Sequence, residues 1–212
     1  MAEDYSNFVD LQEISDQVQN CRKCPLSETR KRAVPGEGPH DAKVMFIGEG
    51  PGRQEDLEGK PFVGRAGALL DEFLRSIGLD RKFVYITNIV KCRPSTRSLT
   101  GFSDQEAEKD RKPTGEEIAS CTPYLKGQIK LIDPKIICTL GDTASRFILE
   151  TYGLKPGIIS RIHGRTYSAN DVKIIPMYHP AAALYTADLK ELMKKDFSKL
   201  AALLAQRTLN SR

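Results

Sequence analysis

Four cysteines in this chain are spaced for metal chemistry. Cys21 and Cys24 form a C-x-x-C pair, and Cys92 and Cys121 follow far downstream. A C-x-x-C loop can turn two thiolates toward one metal or cluster, and two distant cysteines can complete a four-thiolate set. A tetrathiolate zinc site would use the same residues, and the number of thiolates does not separate zinc from iron–sulfur. Two disulfides are the third reading. They are disfavoured by the polar start Met1-Ala2-Glu3-Asp4, which lacks an apolar signal region and points to a reducing, cytoplasmic setting. Cys138 sits within Ile136-Ile137-Cys138-Thr139-Leu140 and is expected to be a small buried hydrophobe. A shared centre would bring the segments around 21–24, 92 and 121 together in space.

Three other chemistry-bearing residues stand where strands should end. Lys43-Val44-Met45-Phe46-Ile47 is a continuous apolar run leading into Gly48-Glu49-Gly50-Pro51-Gly52. Phe83-Val84-Tyr85-Ile86-Thr87 ends on Asn88, and Val172-Lys173-Ile174-Ile175-Pro176-Met177 leads into Tyr178-His179-Pro180. With a strand at 135–140, these make four strands. Between and around them, apolar spacing predicts helices at 4–20, 66–77 (closed by Gly78), 116–131, 142–151 and 188–206. Residues 157–167 read as a hairpin arm or loop, and 31–42 as irregular. The polar stretch 95–115 reads as an inserted surface loop. Alternating strands and helices predict an α/β fold, with a mainly parallel four-stranded sheet and helices on both faces. Parallel strands present their C-terminal ends at one edge, so Glu49, Asn88 and His179 should converge on one cleft.

Composition sets outer limits. The chain has 212 residues, 40% hydrophobic and 28% charged, which suits one α/β domain over 1–212. No run is long enough for a membrane span, so no membrane partner is expected. A net charge of +4 is compatible with a nucleic-acid partner without requiring one. The chain has no tryptophan, so stacking on a base would fall to Phe, Tyr, His or Arg. The Gly48-x-Gly50-x-Gly52 loop is a poor nucleotide cradle, since it is not G-x-G-x-x-G and Pro51 lacks the N–H that a phosphate would need.

Taken in order, the motifs carry a resemblance. They are Cys21-x-x-Cys24, Gly48-Glu49-Gly50-Pro51-Gly52, Gly59-Lys60-Pro61-Phe62-Val63-Gly64-Arg65-Ala66-Gly67, Thr87-Asn88-Ile89-Val90-Lys91-Cys92-Arg93-Pro94, Cys121 and His179-Pro180-Ala181. With them the chain resembles the family 4 uracil-DNA glycosylases, the iron–sulfur branch of that superfamily, from Cys21 to about residue 200. It departs from the family in the longer gap between Cys92 and Cys121. The branch with a covalently reacting histidine is a poorer match, because no histidine lies between those two cysteines and Arg161-Ile162-His163 comes later. Family 5 is also poorer, lacking an equivalent of Glu49.

The resemblance implies a [4Fe–4S] cluster on Cys21, Cys24, Cys92 and Cys121, with a structural role. It implies a monofunctional glycosylase that releases uracil from uracil-containing DNA and leaves an abasic site. His179 would stabilise charge on uracil O2, Asn88 would read the base edge, and Phe62 would stack on it. Glu49 would handle water, Gly50 and Pro51 would approach the base by backbone, and Glu55 would exclude the thymine methyl. Asp56 and Glu58 would be solvated. Ala183, Leu184 and Tyr185 are candidates for a wedge into the duplex. Arg22, Lys23, Arg30, Lys31, Arg32, Lys91, Arg93 and Arg97 are candidate phosphate contacts. Gln206-Arg207-Thr208-Leu209 lacks the aromatic pair of a sliding-clamp tail and does not support that partner; a monomer is expected. The residues alone leave two other readings open, a non-catalytic nucleic-acid-binding module with a structural metal and an electron-transfer protein.

Overall fold

Residues 8–96 and 109–210 are described in the computed structural model, with side chains up to 206. Residues 4–7 of the expected first helix, Arg97, the interior of the 95–115 loop and the side chains of the 207–209 tail lie outside them.

In chain order the helices are α1 (Leu11–Asn20), α2 (Leu26–Thr29), α3 (Arg53–Glu58), α4 (Arg65–Ser76), α5 (Gly115–Ile132), α6 (Asp142–Thr151), α7 (Ile159–Ile162), α8 (Pro180–Ala183) and α9 (Ala187–Asn210). The strands are β1 (Val44–Gly48), β2 (Val84–Asn88), β3 (Ile136–Leu140), β4 (Tyr167–Ala169) and β5 (Val172–Met177). They form one sheet in the order β2-β1-β3-β5-β4. The first four are mutually parallel, with Gly48 beside Asn88 and Leu140 beside Met177. The sheet therefore has five strands where four were expected. The fifth, β4, pairs antiparallel with β5 and begins at Tyr167, the last residue of the segment read as a hairpin arm or loop.

The central strands are buried throughout because both faces are covered. Met45, Ile47, Tyr85, Ile137 and Ile174 join one apolar cluster with residues of α1, α5 and α6. Val44, Phe46, Val84, Ile86, Cys138 and Ile175 alternate to the other face, with α4 and α9. There Phe197 stacks on Phe46 and Phe73, with ring centroids 5.9 and 5.0 Å apart. Cys138 is fully buried, as its apolar run implies.

Local chemistry sets the helix limits. Asp10 accepts from the Glu13 N–H and starts α1 at Leu11, later than the apolar spacing suggested. Thr114 and Glu117 form a capping box at α5. Beyond α4, Gly78 takes φ +70°, and Leu79 N–H returns to the Leu74 carbonyl. The ends of the 95–115 segment are pinned by a bridge between Ser95 and Asp110. Among the described residues no helix is long and apolar enough to cross a membrane.

Candidate active site at the strand ends

A cleft of about 510 Å³ opens at the C-terminal edge of the sheet. It is lined by Glu49, Gly50, Pro51, Glu55, Phe62, Asn88 and His179, so all the candidate base-handling residues share one cavity. The β3–α6 turn, Leu140 to Thr143, forms a further wall that the sequence reading missed. Gly141 there has φ +94°, and a Cβ would sit 3.3 Å from His179 Cβ, so this glycine lets the turn close against the imidazole.

Asn88 ends β2 and is 1% exposed. Neither its Oδ1 nor its Nδ2 has a hydrogen-bond partner. Leaving a buried polar group unpaired typically costs about 1–3 kcal/mol. A carboxamide left unpaired at both ends on a cleft wall is set for a ligand with the matching donor and acceptor.

His179 is the N-cap of α8. Ala181 N–H donates to its Nδ1 at 3.2 Å. That bond fixes the tautomer: Nδ1 is the acceptor, so the proton resides on Nε2. Burial lowers its pKa, with the Glu55 carboxylate opposing. The imidazole is therefore neutral at pH 7 with an N–H to donate. A profile of log kcat/KM against pH is expected to stay flat below the ordinary histidine pKa of about 6.5. It should fall only at lower pH, where a proton on Nδ1 breaks the Ala181 bond. In His179→Gln that acid limb should vanish; an unchanged limb would belong to another group.

Phe62 is 5% exposed, with its ring 5.6 Å from the His179 ring. Its φ is +51°, a conformation that costs a non-glycine residue about 1–3 kcal/mol and persists only when the surroundings enforce it. Two groups do so. Glu55 Oε1 accepts from the Val63 and Gly64 N–H groups at 2.9 and 3.0 Å, while Oε2 accepts from Gly52 N–H at 3.1 Å. Arg81 donates to the Phe62 carbonyl at 3.0 Å and also to the Pro61 carbonyl, and pairs with Asp71 at 3.2 Å. A Cβ on Gly67 would meet the Phe62 carbonyl oxygen at 1.8 Å, so α4 can approach this turn only with glycine there. Arg81 was not legible as a site residue. Arg81→Met should free the turn and lower kcat/KM by roughly tenfold to 10²-fold, the order expected when a group lining an active-site cleft shifts by an ångström. Steady-state kinetics would check it.

The four cysteines also gather. Cys21, Cys24, Cys92 and Cys121 line one small cavity with Arg30, Lys91 and Tyr124. All four are free thiols. Arg30 Nη1 donates to Cys92 Sγ at 2.9 Å, Lys91 N–H to Cys121 Sγ at 3.2 Å, and Lys23 N–H to Cys21 Sγ at 3.5 Å. Among the described residues no group of three or more His, Cys, Asp or Glu is arranged to hold a single metal ion. Burial raises the pKa of Cys24, Cys92 and Cys121, the last to about 12, so these thiols hold their protons at neutral pH.

Some expectations need correction. Asp56 is buried, not solvated, and accepts from Lys31 and Arg32 N–H, which ties the cysteine-bearing arm to α3; Glu58 is exposed. Lys91 and Arg93 are buried and cannot be surface phosphate contacts. Arg93 pairs with Asp110 at 2.6 Å. Arg30 is spent on Cys92 and on the Gln19 and Cys21 carbonyls. Arg22, Lys23, Lys31 and Arg32 remain exposed. Of the wedge candidates, Ala183 is buried, while Tyr185 is 78% exposed and accepts from Arg65 Nη1 at 3.0 Å.

A mainly parallel sheet with a cleft at its strand ends narrows the class, and a family model described as the uracil DNA glycosylase superfamily matches residues 35–204. Relatives narrow it. A type-4 uracil-DNA glycosylase of Archaeoglobus fulgidus is 43% identical, over 93% of this chain and 94% of its own. Those of Sulfurisphaera tokodaii and Saccharolobus solfataricus are each 42% identical, over 91% and 92% of this chain and 84% and 86% of their own. The chain belongs to the type-4 uracil-DNA glycosylases.

Proposed function

We propose that the cleft receives a uracil swung out of DNA, with His179, Asn88 and Phe62 as the groups that hold it and assist its departure. The activity is hydrolysis of the N-glycosidic bond of deoxyuridine in DNA, which releases uracil and leaves an abasic site for base-excision repair. The observation that carries the assignment of roles is the buried Asn88 carboxamide with no partner at either atom. Uracil offers N3–H to Oδ1 and O4 to Nδ2. Cytosine presents the opposite pattern and, with the carboxamide held in its present orientation, would leave both atoms unpaired, a ground for rejection.

Bond cleavage sends the C1′–N1 electron pair into the base, with much of the charge on O2. The Nε2–H of a neutral His179 is a preorganised donor for that oxygen. Phe62, held by Glu55 and Arg81, stacks on the base face. Water adds at C1′, and Glu49 at the cleft wall orients it. Glu55 is fixed by three backbone N–H groups. It is thereby a rigid wall that a thymine methyl would strike.

The cysteine set suits a [4Fe–4S] cluster. Four free thiols surround a shared cavity, and three of them receive N–H donors. Cys21, Cys24, Cys92 and Cys121 would hold it, and when bound it would cross-link the N-terminal arm, the segment after β2, and α5. Purified protein should contain iron and absorb at about 400 nm; zinc in place of iron would overturn this assignment.

The functional test uses paired oligonucleotides carrying uracil or thymine at one position. Free uracil should appear from the first alone, with the strand intact until alkali cleaves the abasic site. Binding without uracil release would mark a non-catalytic module instead.

A further inference from the structure

We infer that Lys91 is a positioning residue for uracil recognition, clamping the Asn88 main chain with its side chain while its own N–H reaches the cysteine set. The inference rests on Asn88 being the base-reading group.

Lys91 is 1% exposed, in a place where an apolar side chain of similar length would avoid burying an ammonium. Its Nζ has three acceptors, Thr87 Oγ1 at 2.6 Å, Gln128 Oε1 at 2.7 Å and the Asn88 carbonyl at 2.8 Å. Three acceptors match the three N–H bonds of an ammonium. The acceptors are themselves anchored. Thr87 Oγ1 donates to the Pro35 carbonyl at 3.0 Å, and Gln128 Nε2 donates to that carbonyl at 2.8 Å and to Tyr85 Oη at 3.0 Å. The network thus joins β2, α5 and the segment before β1, and neither Thr87 nor Gln128 lines the cleft.

Lys91 touches Asn88 only through the backbone. The Asn88 side chain makes no hydrogen bond that could orient it, so its direction depends on its main chain. On one side Ile89 N–H is held by the Gly48 carbonyl at 2.9 Å; on the other the Asn88 carbonyl is held by Nζ. From the same residue, Lys91 N–H donates to Cys121 Sγ at 3.2 Å, and Cys92 is the next residue. One side chain and one amide therefore tie the base-reading carboxamide to two of the four cysteines. Cys92 thus lies four residues after Asn88 and is not among the residues that line the cleft.

The test is a double-mutant cycle on the purified holoprotein with Lys91→Met and Asn88→Ala. Lys91→Met should leave iron content and the absorbance at about 400 nm unchanged. It should lower kcat/KM on uracil-containing DNA by about 10- to 100-fold, the range seen when a group that orients a ligating side chain is removed. The inhibition constant of free uracil should rise in parallel. In the Asn88→Ala background the same change should cost nothing further. Equal losses in both backgrounds, or unaltered inhibition by uracil, would overturn the inference. Should Lys91→Met not yield folded protein, Thr87→Val removes one acceptor and enters the same cycle, where the same two results would overturn the inference. Wild-type protein that released no uracil would overturn the functional assignment itself. Active wild-type protein with an indifferent Lys91→Met would sink this inference alone.

Discussion

Uracil excision falls roughly 10²–10³-fold when His179 is replaced by alanine, the typical cost of losing one preorganised donor at a developing oxyanion. Two functions are lost together in that variant. The Nε2–H no longer reaches the cleft, and Ala181 N–H loses its cap. Losing a cap costs about 1 kcal/mol of stability and should not touch the chemical step. His179→Ser separates the two, since a serine hydroxyl can cap α8 but cannot reach as the imidazole does. Single-turnover excision should be equally slow in both variants, while thermal unfolding should be restored toward wild type in the serine form. A serine variant with near wild-type excision would show that His179 matters only as a cap. Either variant should retain iron, because the cysteine cavity is lined by other segments.

The general position of this site was legible because each key residue follows a strand that reads clearly. Continuous apolar runs ending at Gly48, Asn88 and Met177 admit few other readings, and parallel pairing brings their ends to one edge. The elements that went unread are short. Helices of four to six residues such as α2, α3, α7 and α8 contain too few turns for periodicity to register. The three-residue β4 owes its existence to pairing with β5, a tertiary fact.

The supporting residues were illegible for another reason. Arg81 looks like any surface arginine beside a turn, and its target carbonyls lie 19 and 20 residues earlier in the chain. Lys91 and Arg93 sit in a basic, cysteine-flanked segment and were read as cations for phosphate, whereas the fold buries both. Nothing in local sequence distinguishes a lysine that will find three internal acceptors from one in water. Asp56 differs from Glu58 in the same way: both are acidic residues on a six-residue helix, and only the first meets backbone N–H groups from a distant loop.

Gly48 is the position where the smallest change should do the most. It closes β1 directly beside Asn88, and its backbone needs no unusual torsion, so only space bars a side chain there. A Cβ would lie 2.3 Å from Asn88 Oδ1 and 2.7 Å from Phe62 Cζ. Both distances are far inside van der Waals contact, and both atoms belong to side chains bordering the open cleft. Gly48→Ala should therefore fold by pushing those two side chains into the space that uracil needs. Excision should fall by at least about 10²-fold, since both the Asn88 carboxamide and the Phe62 ring are displaced. Free uracil should cease to inhibit, while the absorbance at about 400 nm persists. Asn88→Ala removes the nearer of the two clashing atoms, so adding Gly48→Ala to that variant should cost less than adding it to wild type. A Gly48→Ala protein that still bound and released uracil at the wild-type rate would mean that the base lies elsewhere in the cleft, away from Asn88 and Phe62.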